Sequence, residues 1–284
     1  MRIALTGATG LVGRFLLDLP GEVVTLGRRP LPGHAHRPWT LDGPAPDLAG
    51  IDLLVHAALS HVPGRYRGGE GDDPKGFLTA NLDGSRRLFD AAAAAGVQRV
   101  LFLSSRAVFD GLPPGTRLTE ELTPQPRSLY GQMKRAAEMH LSQMPLIGLS
   151  LRATGIYGPG PGHKWEALFA DYRAGRPIAP RRGTELHGAD LARACALLLD
   201  ATQGGPVHVS DMLLDRHDLL AELQRLTGCP HPPPPRATDP ISTLACDRLH
   251  ALGWRPGGMK RLRADLPAIL ATAAPDTSAS RPSG

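Results

Sequence analysis

The first thirteen residues constrain the fold more than any other stretch. Ile3-Ala4-Leu5 is an apolar run that leads directly into Thr6-Gly7-Ala8-Thr9-Gly10-Leu11-Val12-Gly13. The run reads as a buried strand, and glycines spaced three apart behind it read as a tight turn with room for a phosphate. Gly7 suits the turn, Gly10 a backbone that a pyrophosphate approaches closely, and Gly13 close packing of the next segment on the strand. Leu11, Phe15, Leu16 and Leu19 lie at helical spacing, so the pattern predicts a helix whose first N–H groups face an anion.

Further strands are predicted at 22–26, 53–57, 100–104, 147–152 and 207–209, each a short apolar run. Between them, Leu82, Leu88, Phe89 and Ala92 mark a helix from Asn81 to Ala95 that Gly96 stops. This alternation predicts an α/β chain with a doubly wound parallel sheet. Beyond Tyr157 a helix is expected over 164–174, with Gly175 as its stop. Asp190 is expected to cap a helix carrying Leu191, Ala194, Cys195 and Leu198, and Asp215 one running to Leu226. His231-Pro232-Pro233-Pro234-Pro235 reads as a stiff extended connector, and the small, polar residues 272–284 as a disordered tail.

Composition narrows the function classes. A chain of 284 residues with 42% hydrophobic content buries a full core. Its net charge of +5 raises the question of nucleic acid, but the arginines at 28–29, 65, 67, 86–87 and 181–182 are dispersed and form no long basic run. No nucleic-acid partner is expected. Three cysteines without C-x-x-C spacing, and histidines without His-Glu-x-x-His, indicate neither a disulfide framework nor a metal site. No apolar run is long enough for a membrane span, and no leader precedes the first strand, so a soluble cytoplasmic protein is expected.

The chemistry is suggested by Tyr130-Gly131-Gln132-Met133-Lys134, which follows the turn formers Pro124 and Pro126. On a helix, residues four apart share a face, which sets the phenol beside the ammonium or leaves both on a solvated surface. A free phenol titrates near ~10, and an ammonium at ~4 Å in an effective dielectric of ~20 contributes on the order of 4 kcal/mol, roughly three pKa units. That would bring the phenol into the range of a working acid or base. The strand Val100 to Ser104 ends in two hydroxyls, Ser104 and Ser105, at the sheet edge where open α/β folds place ligands.

Taken together, these motifs resemble the extended short-chain dehydrogenase/reductase family, in particular its NAD(P)-dependent epimerase/dehydratase and sugar-reductase-like branch. The resemblance spans nearly the whole chain. It rests on 6–13, on Asp52 to Ala58, on Asn81 through Arg99 to Phe109, and on Tyr130 and Lys134. Leu151 to Gly160, His187 to Asp190 and Leu252-Gly253-Trp254 complete it. The resemblance implies a Rossmann-type sheet over 1–155, rejoined by about 187–210, with 156–186 and 211–271 as a smaller substrate lobe. It implies Ser105, Tyr130 and Lys134 as the catalytic set, with Ser105 holding the reacting oxygen and Lys134 also holding the nicotinamide ribose. Gly7, Thr9, Gly10, Leu11, Val12 and Gly13 would take the pyrophosphate. Asp42 would contact adenine, and Ala57, Ala58, Asn81, Ser104 and Gly155 would line the cofactor. Ser104 alternatively satisfies only the end of its strand.

Cofactor choice is read from Gly27-Arg28-Arg29 behind the second strand. No carboxylate stands there to bind a ribose and repel a 2′-phosphate, so Arg28, with Arg29, favours NADP, NAD remaining possible. Arg106, Lys164 and His187 are the candidate substrate contacts. Against each stands a plainer reading: an ion pair, the opening of a surface helix, and a structural histidine.

Departures from the family pattern shape the expected reaction. Ala153 and Gly155 stand where many nucleotide-sugar members carry Pro and a substrate-binding Asn, and Arg106-Ala107 replaces the acid/base pair of dehydratases. Val108-Phe109-Asp110-Gly111 is similar to deoxysugar reductases. Reversible hydride transfer at a hydroxyl or carbonyl of a small polar or sugar-derived substrate is therefore expected. A nucleotide-sugar epimerase with retained cofactor and a non-catalytic NADP-binding redox sensor remain as alternatives. A small molecule is the expected partner, and a homodimer is compatible with the resemblance.

Overall fold

The computed structural model describes residues 1–62 and 68–271. Arg65, Arg67 and the tail at 272–284 lie outside the described residues. In chain order the elements begin with β1 (Arg2–Thr6), β2 (Glu22–Gly27), β3 (Ala35–Pro38) and β4 (Leu53–His56). Then come α1 (Pro74–Leu78), α2 (Gly84–Ala94), β5 (Arg99–Ser105), β6 (Arg117–Leu118), α3 (Leu129–Leu141), β7 (Ile147–Ala153) and β8 (Gly155–Tyr157). The remainder is α4 (Glu166–Arg173), β9 (Arg182–His187), α5 (Gly188–Leu197), β10 (Gly205–Val209), β11 (Met212–Asp215) and α6 (Arg216–Thr227). β12 (Thr243–Leu244), α7 (Asp247–Ala251) and α8 (Gly258–Ala271) close it.

Seven strands pair in the order β10-β7-β5-β4-β1-β2-β3, and every pairing is parallel. The order reverses between β1 and β4, which places the switch point of a doubly wound sheet at the end of the glycine-rich strand. Side-chain alternation sorts each strand between two cores. Ile3, Leu5, Leu53, Val55 and Leu101 pack on one face with Leu191, Ala194 and Leu198 of the α5 region. Ala4, Leu54, Val100 and Phe102 pack on the other with Leu88, Phe89 and Ala92 of α2 and Ala137 and Leu141 of α3. Burial on both faces explains why these strands read as continuous apolar runs. A smaller sheet, ordered β11-β9-β8, packs with α4, α6 and α8 around a third core that includes Tyr157, Phe169, Leu220 and Leu266. Among the described residues no helix is long and apolar enough to cross a membrane.

Three local expectations are corrected. The helix behind the glycine turn is a single 3₁₀ turn, Gly13–Leu16, because Pro20-Gly21 and the start of β2 at Glu22 leave too few residues for more. Leu16 and Leu19 are nevertheless buried, so the apolar spacing reported burial rather than helix length. The helix expected from Asn81 starts at Pro74 and passes through a π turn at Thr79–Asp83, with Asp73 as its cap. Asp190 does not cap α5: the His187 ring does, through the Ala189 N–H. Asp190 lies fully buried inside the first turn, where its carboxylate accepts from the Gly257 N–H at 3.0 Å and faces Arg261 at 3.4 Å.

A buried ion pair joins the large sheet to α3. Arg152 of β7 donates to both oxygens of Glu138 on α3, at 3.0 and 2.8 Å, and each side chain is 3% exposed. Removing one partner of such a pair strands the other charge, which costs about 3–5 kcal/mol. Glu138→Ala is expected to lower the free energy of unfolding by about that much in urea titration. Glu138→Met combined with Arg152→Met is expected to recover a large part of it, because neither charge is then left buried alone.

Candidate active site

The C-terminal ends of β1, β4 and β5 meet the N-terminal end of α3 around a cavity of about 1230 Å³. Its lining includes Leu11, Val12 and Ala57 on the glycine-turn side, and Ser104, Ser105, Arg106, Tyr130 and Lys134 on the other. Gly155 and Lys164 line it from the direction of the smaller sheet.

The glycine turn is shaped by contact with the β4 end. Gly7 holds φ +71°, and a Cβ there would lie 2.8 Å from the Ala58 nitrogen. A Cβ on Gly13 would lie 2.1 Å from the Gly7 carbonyl oxygen, so the turn closes only without side chains at both places. Thr9 and Gly10 are exposed on the outside of the turn. With one 3₁₀ turn behind it, the loop offers backbone N–H groups but not the dipole of a full helix.

Behind Ala57 and Ala58 runs a buried hydrogen-bond chain that the sequence did not reveal. Thr6 Oγ1 accepts from the N–H groups of both residues at 3.1 Å, so its own proton goes to His56 Nδ1 at 2.8 Å. His56 Nε2–H is then the donor to Ser85 Oγ, 2.9 Å away, and Ser85 donates onward to the Asn81 carbonyl. Burial, with Lys134 adding to it, pushes the His56 pKa down to about 3, which keeps the ring neutral and the chain in this polarity. Asn81, expected to line the cofactor, is buried, and its amide is used on the Ser60 N–H at 2.7 Å and the Ser60 and Phe77 carbonyls at 2.8 and 2.9 Å. It braces the loop behind β4 and does not line the cavity.

Successive serines at the end of β5 have different work. Ser104 is buried and donates to Glu138 Oε1 at 2.6 Å, so its hydroxyl is already committed. Ser105 Oγ accepts from the Ala107 N–H at 3.1 Å, capping the 3₁₀ turn Arg106–Phe109, and this leaves its proton for a ligand oxygen. Arg106 lines the cavity and donates to the Ser242 carbonyl at 3.3 Å.

Ser128 caps α3 by accepting from the Gly131 N–H at 3.1 Å, and it is bonded in turn to Asp110. Tyr130 and Lys134 follow one turn apart on the helix. Lys134 Nζ donates to the Leu103 carbonyl at 2.7 Å, 4.6 Å from the Phe102 ring centre and 5.8 Å from that of Tyr130. Burial pushes its pKa down to about 7, against the opposing pull of Glu138. The positive charge expected to assist the phenol is thus present chiefly below that pH.

Other candidates stand further off. Arg28 and Arg29 are exposed just past β2, outside the cavity lining. Asp42 is also exposed, and the Thr40 hydroxyl, with smaller help from Arg28 and Arg87, holds its carboxyl below the usual range. Lys164 lines the cavity in an ion pair with Glu185. His187 does not line it: the ring is 2% exposed, with Nδ1 on the Ala189 N–H and Nε2 3.0 Å from Asp265. The candidate substrate contact is therefore corrected to a helix cap.

The Lys134 environment has a consequence for stability. Between its folded pKa of about 7 and an ordinary value near 10.5, the unfolded chain holds a proton that the folded chain has released. Stability rises with pH through that window, and the penalty is complete below it. Lys134→Met is expected to resist urea better than the parent at about pH 6, with the difference closing toward about pH 10.

The chain is similar to several known proteins in sequence and fold. The solved UDP-glucose 4-epimerase of Thermus thermophilus, in complex with NAD, superposes with a TM-score of 0.76 at 25% identity, covering 95% of this chain and 99% of that one. The 3-diazoavenalumate denitrifying reductase of a Streptomyces species is 28% identical over 298 residues, 90% of this chain and 96% of the relative. The 3-beta-hydroxysteroid dehydrogenase of Mycolicibacterium neoaurum is 29% identical over 193 residues, 61% of this chain but 52% of the relative. The chain thus spans about half the length of the first curated relatives it matches. The family model described as the NAD dependent epimerase/dehydratase family matches residues 3–210, and the chain belongs to that family.

Proposed function

We propose that this protein is an NADP-preferring oxidoreductase that transfers hydride reversibly at a hydroxyl or carbonyl of a small polar or sugar-derived molecule. The observation that carries the reading is that Ser105, Tyr130 and Lys134 line one cavity together with Leu11 and Val12 of the glycine-rich segment and Ala57.

The residues present fit a nicotinamide dinucleotide. Gly7 and Gly13 permit a turn that any side chain would break, and Leu11, Val12 and Ala57 give an apolar surface beside it. Lys134 has three N–H donors, one of them on the Leu103 carbonyl, and would hold the ribose hydroxyls with the others. Arg28 and Arg29 would clamp a 2′-phosphate from the end of β2, where the chain itself carries no carboxylate. The bound nicotinamide supplies a hydride acceptor or donor. Tyr130 takes the proton from a substrate hydroxyl, or returns one to a carbonyl, and the Ser105 hydroxyl donates to the same oxygen as its charge changes. Lys134, when protonated, favours the ionised phenol.

A second reading, an epimerase that keeps its cofactor through the cycle, is favoured by the 4-epimerases among the relatives and neighbours. It predicts nicotinamide retained through purification and no net change in absorbance during turnover. The absence of an amide at Gly155 supports net reduction or oxidation instead, and a reductase is among the relatives matched over most of their length.

Two outcomes are expected. Calorimetry should show NADPH binding at least several-fold tighter than NADH, a preference that Arg28→Ala abolishes. In a screen of carbonyl compounds and alcohols followed by nicotinamide absorbance, Tyr130→Phe should lose about 100-fold or more in turnover with little change in cofactor affinity. Lys134→Ala should weaken both.

A further inference from the structure

Gly155 leaves a gap in the cavity wall that two charged side chains fill. A Cβ built on it would lie 2.6 Å from Lys164 Nζ and 2.9 Å from Glu185 Oε2, closer than packed atoms approach. Gly155 pairs in register with Glu185 across β8 and β9. Two residues earlier, Ala153 pairs with Ser105 across β7 and β5, so the wall bearing the ion pair adjoins the strand end bearing the reactive hydroxyl. Lys164 and Glu185 touch directly, with side-chain exposures of 20% and 15%, and both line the cavity that Ser105 and Tyr130 line.

The pair is an expensive way to fill a hole. Withdrawing each ion from most of its water is unfavourable, and apolar side chains of similar volume would fill the same space without that penalty. Their contact also uses only part of their bonding capacity, since an ammonium has three donors and a carboxylate about four acceptor positions. A ligand hydroxyl can accept from Lys164 and donate to Glu185 at once. An apolar group in its place would strip water from both ions and return nothing, and sites built to hydrogen-bond a hydroxyl reject analogues lacking it by factors of about 10⁴ in favourable cases.

We propose that the Lys164–Glu185 pair is the specificity-determining element of the cavity. It selects compounds bearing a hydroxyl beside the reacting carbon, such as α-hydroxy carbonyls and vicinal diols, over carbonyl compounds with apolar neighbours. The selection acts on binding; only its catalytic consequence rests on the oxidoreductase reading above.

The test uses the NADPH complex and two four-carbon ketones, erythrulose and 2-butanone, with affinities read from the fluorescence of bound NADPH and oxidation followed in the same samples. The expected result is at least tenfold tighter binding of erythrulose by the parent protein. The preference is lost in Lys164→Met/Glu185→Leu and retained in the charge-exchanged Lys164→Glu/Glu185→Lys, all three melting cooperatively. Equal affinity for the two ketones in the parent, binding of neither, or a preference that survives the apolar double substitution overturns the proposal. Selective binding of erythrulose without NADPH oxidation supports the pair's role and counts against the hydride-transfer reading instead.

Discussion

Glu138 sits one helical turn beyond Lys134, and its carboxylate accepts from Arg152 on β7, Ser104 on β5 and Arg135 on its own helix. These contacts fix the rotation and depth of α3 against the ends of two adjacent strands, out of reach of water. The placement of Tyr130, Lys134 and the two serines of β5 follows from that docking. It directs Tyr130 and Lys134 to the cavity, brings Lys134 within 2.7 Å of the Leu103 carbonyl, and engages the Ser104 hydroxyl, whereas Ser105 Oγ accepts from a backbone N–H and keeps its proton for a ligand. A second buried chain, Thr6 to His56 to Ser85, does the same beside β4 by holding Ala57 and Ala58 against the glycine turn.

The large sheet, unlike these buried contacts, was legible in the sequence because it is buried on both faces. Six strands read as apolar runs and stand within one or two residues of their expected ends, whereas the edge strand β3 and the three strands of the smaller sheet, being partly exposed and mixed in composition, gave no such signal. Spacing misled where burial and helicity share a pattern: Leu16 and Leu19 face the core from a 3₁₀ turn and its exit as readily as from a helix. Asp190 has the composition of a cap, yet Arg261 and the Gly257 N–H claim it from α8 and its approach, a long-range pairing that no local pattern encodes. Arg152 did carry a readable signal. An arginine inside the apolar strand Ile147–Ala153 requires a buried acid, and Glu138, spaced four from Lys134, was available in the sequence.

The cavity divides into a part whose residues follow the family pattern and a part that departs from it. Ser105 and the glycine turn stand at the ends of large-sheet strands, and Tyr130 and Lys134 lie on α3 beside them. Gly155, Lys164 and Glu185 belong to the smaller sheet and its approaches, where the chain replaces an expected amide with an ion pair reached from elsewhere in the sequence. Relatives with quite different substrates, a steroid dehydrogenase, a reductase and 4-epimerases, match the same chain at similar identity. That spread is what a common fold with a separately varied substrate wall produces.

The NADPH affinity of Glu138→Gln, measured well below that variant's unfolding transition, bears most directly on the claim that the buried pair sets the geometry of the site. The substituted amide would keep the volume but release Arg152 and loosen α3. The account predicts at least tenfold weaker binding, about 1.4 kcal/mol, although Glu138 does not itself line the cavity. An affinity equal to that of the parent protein, in a variant that remains folded, would contradict it.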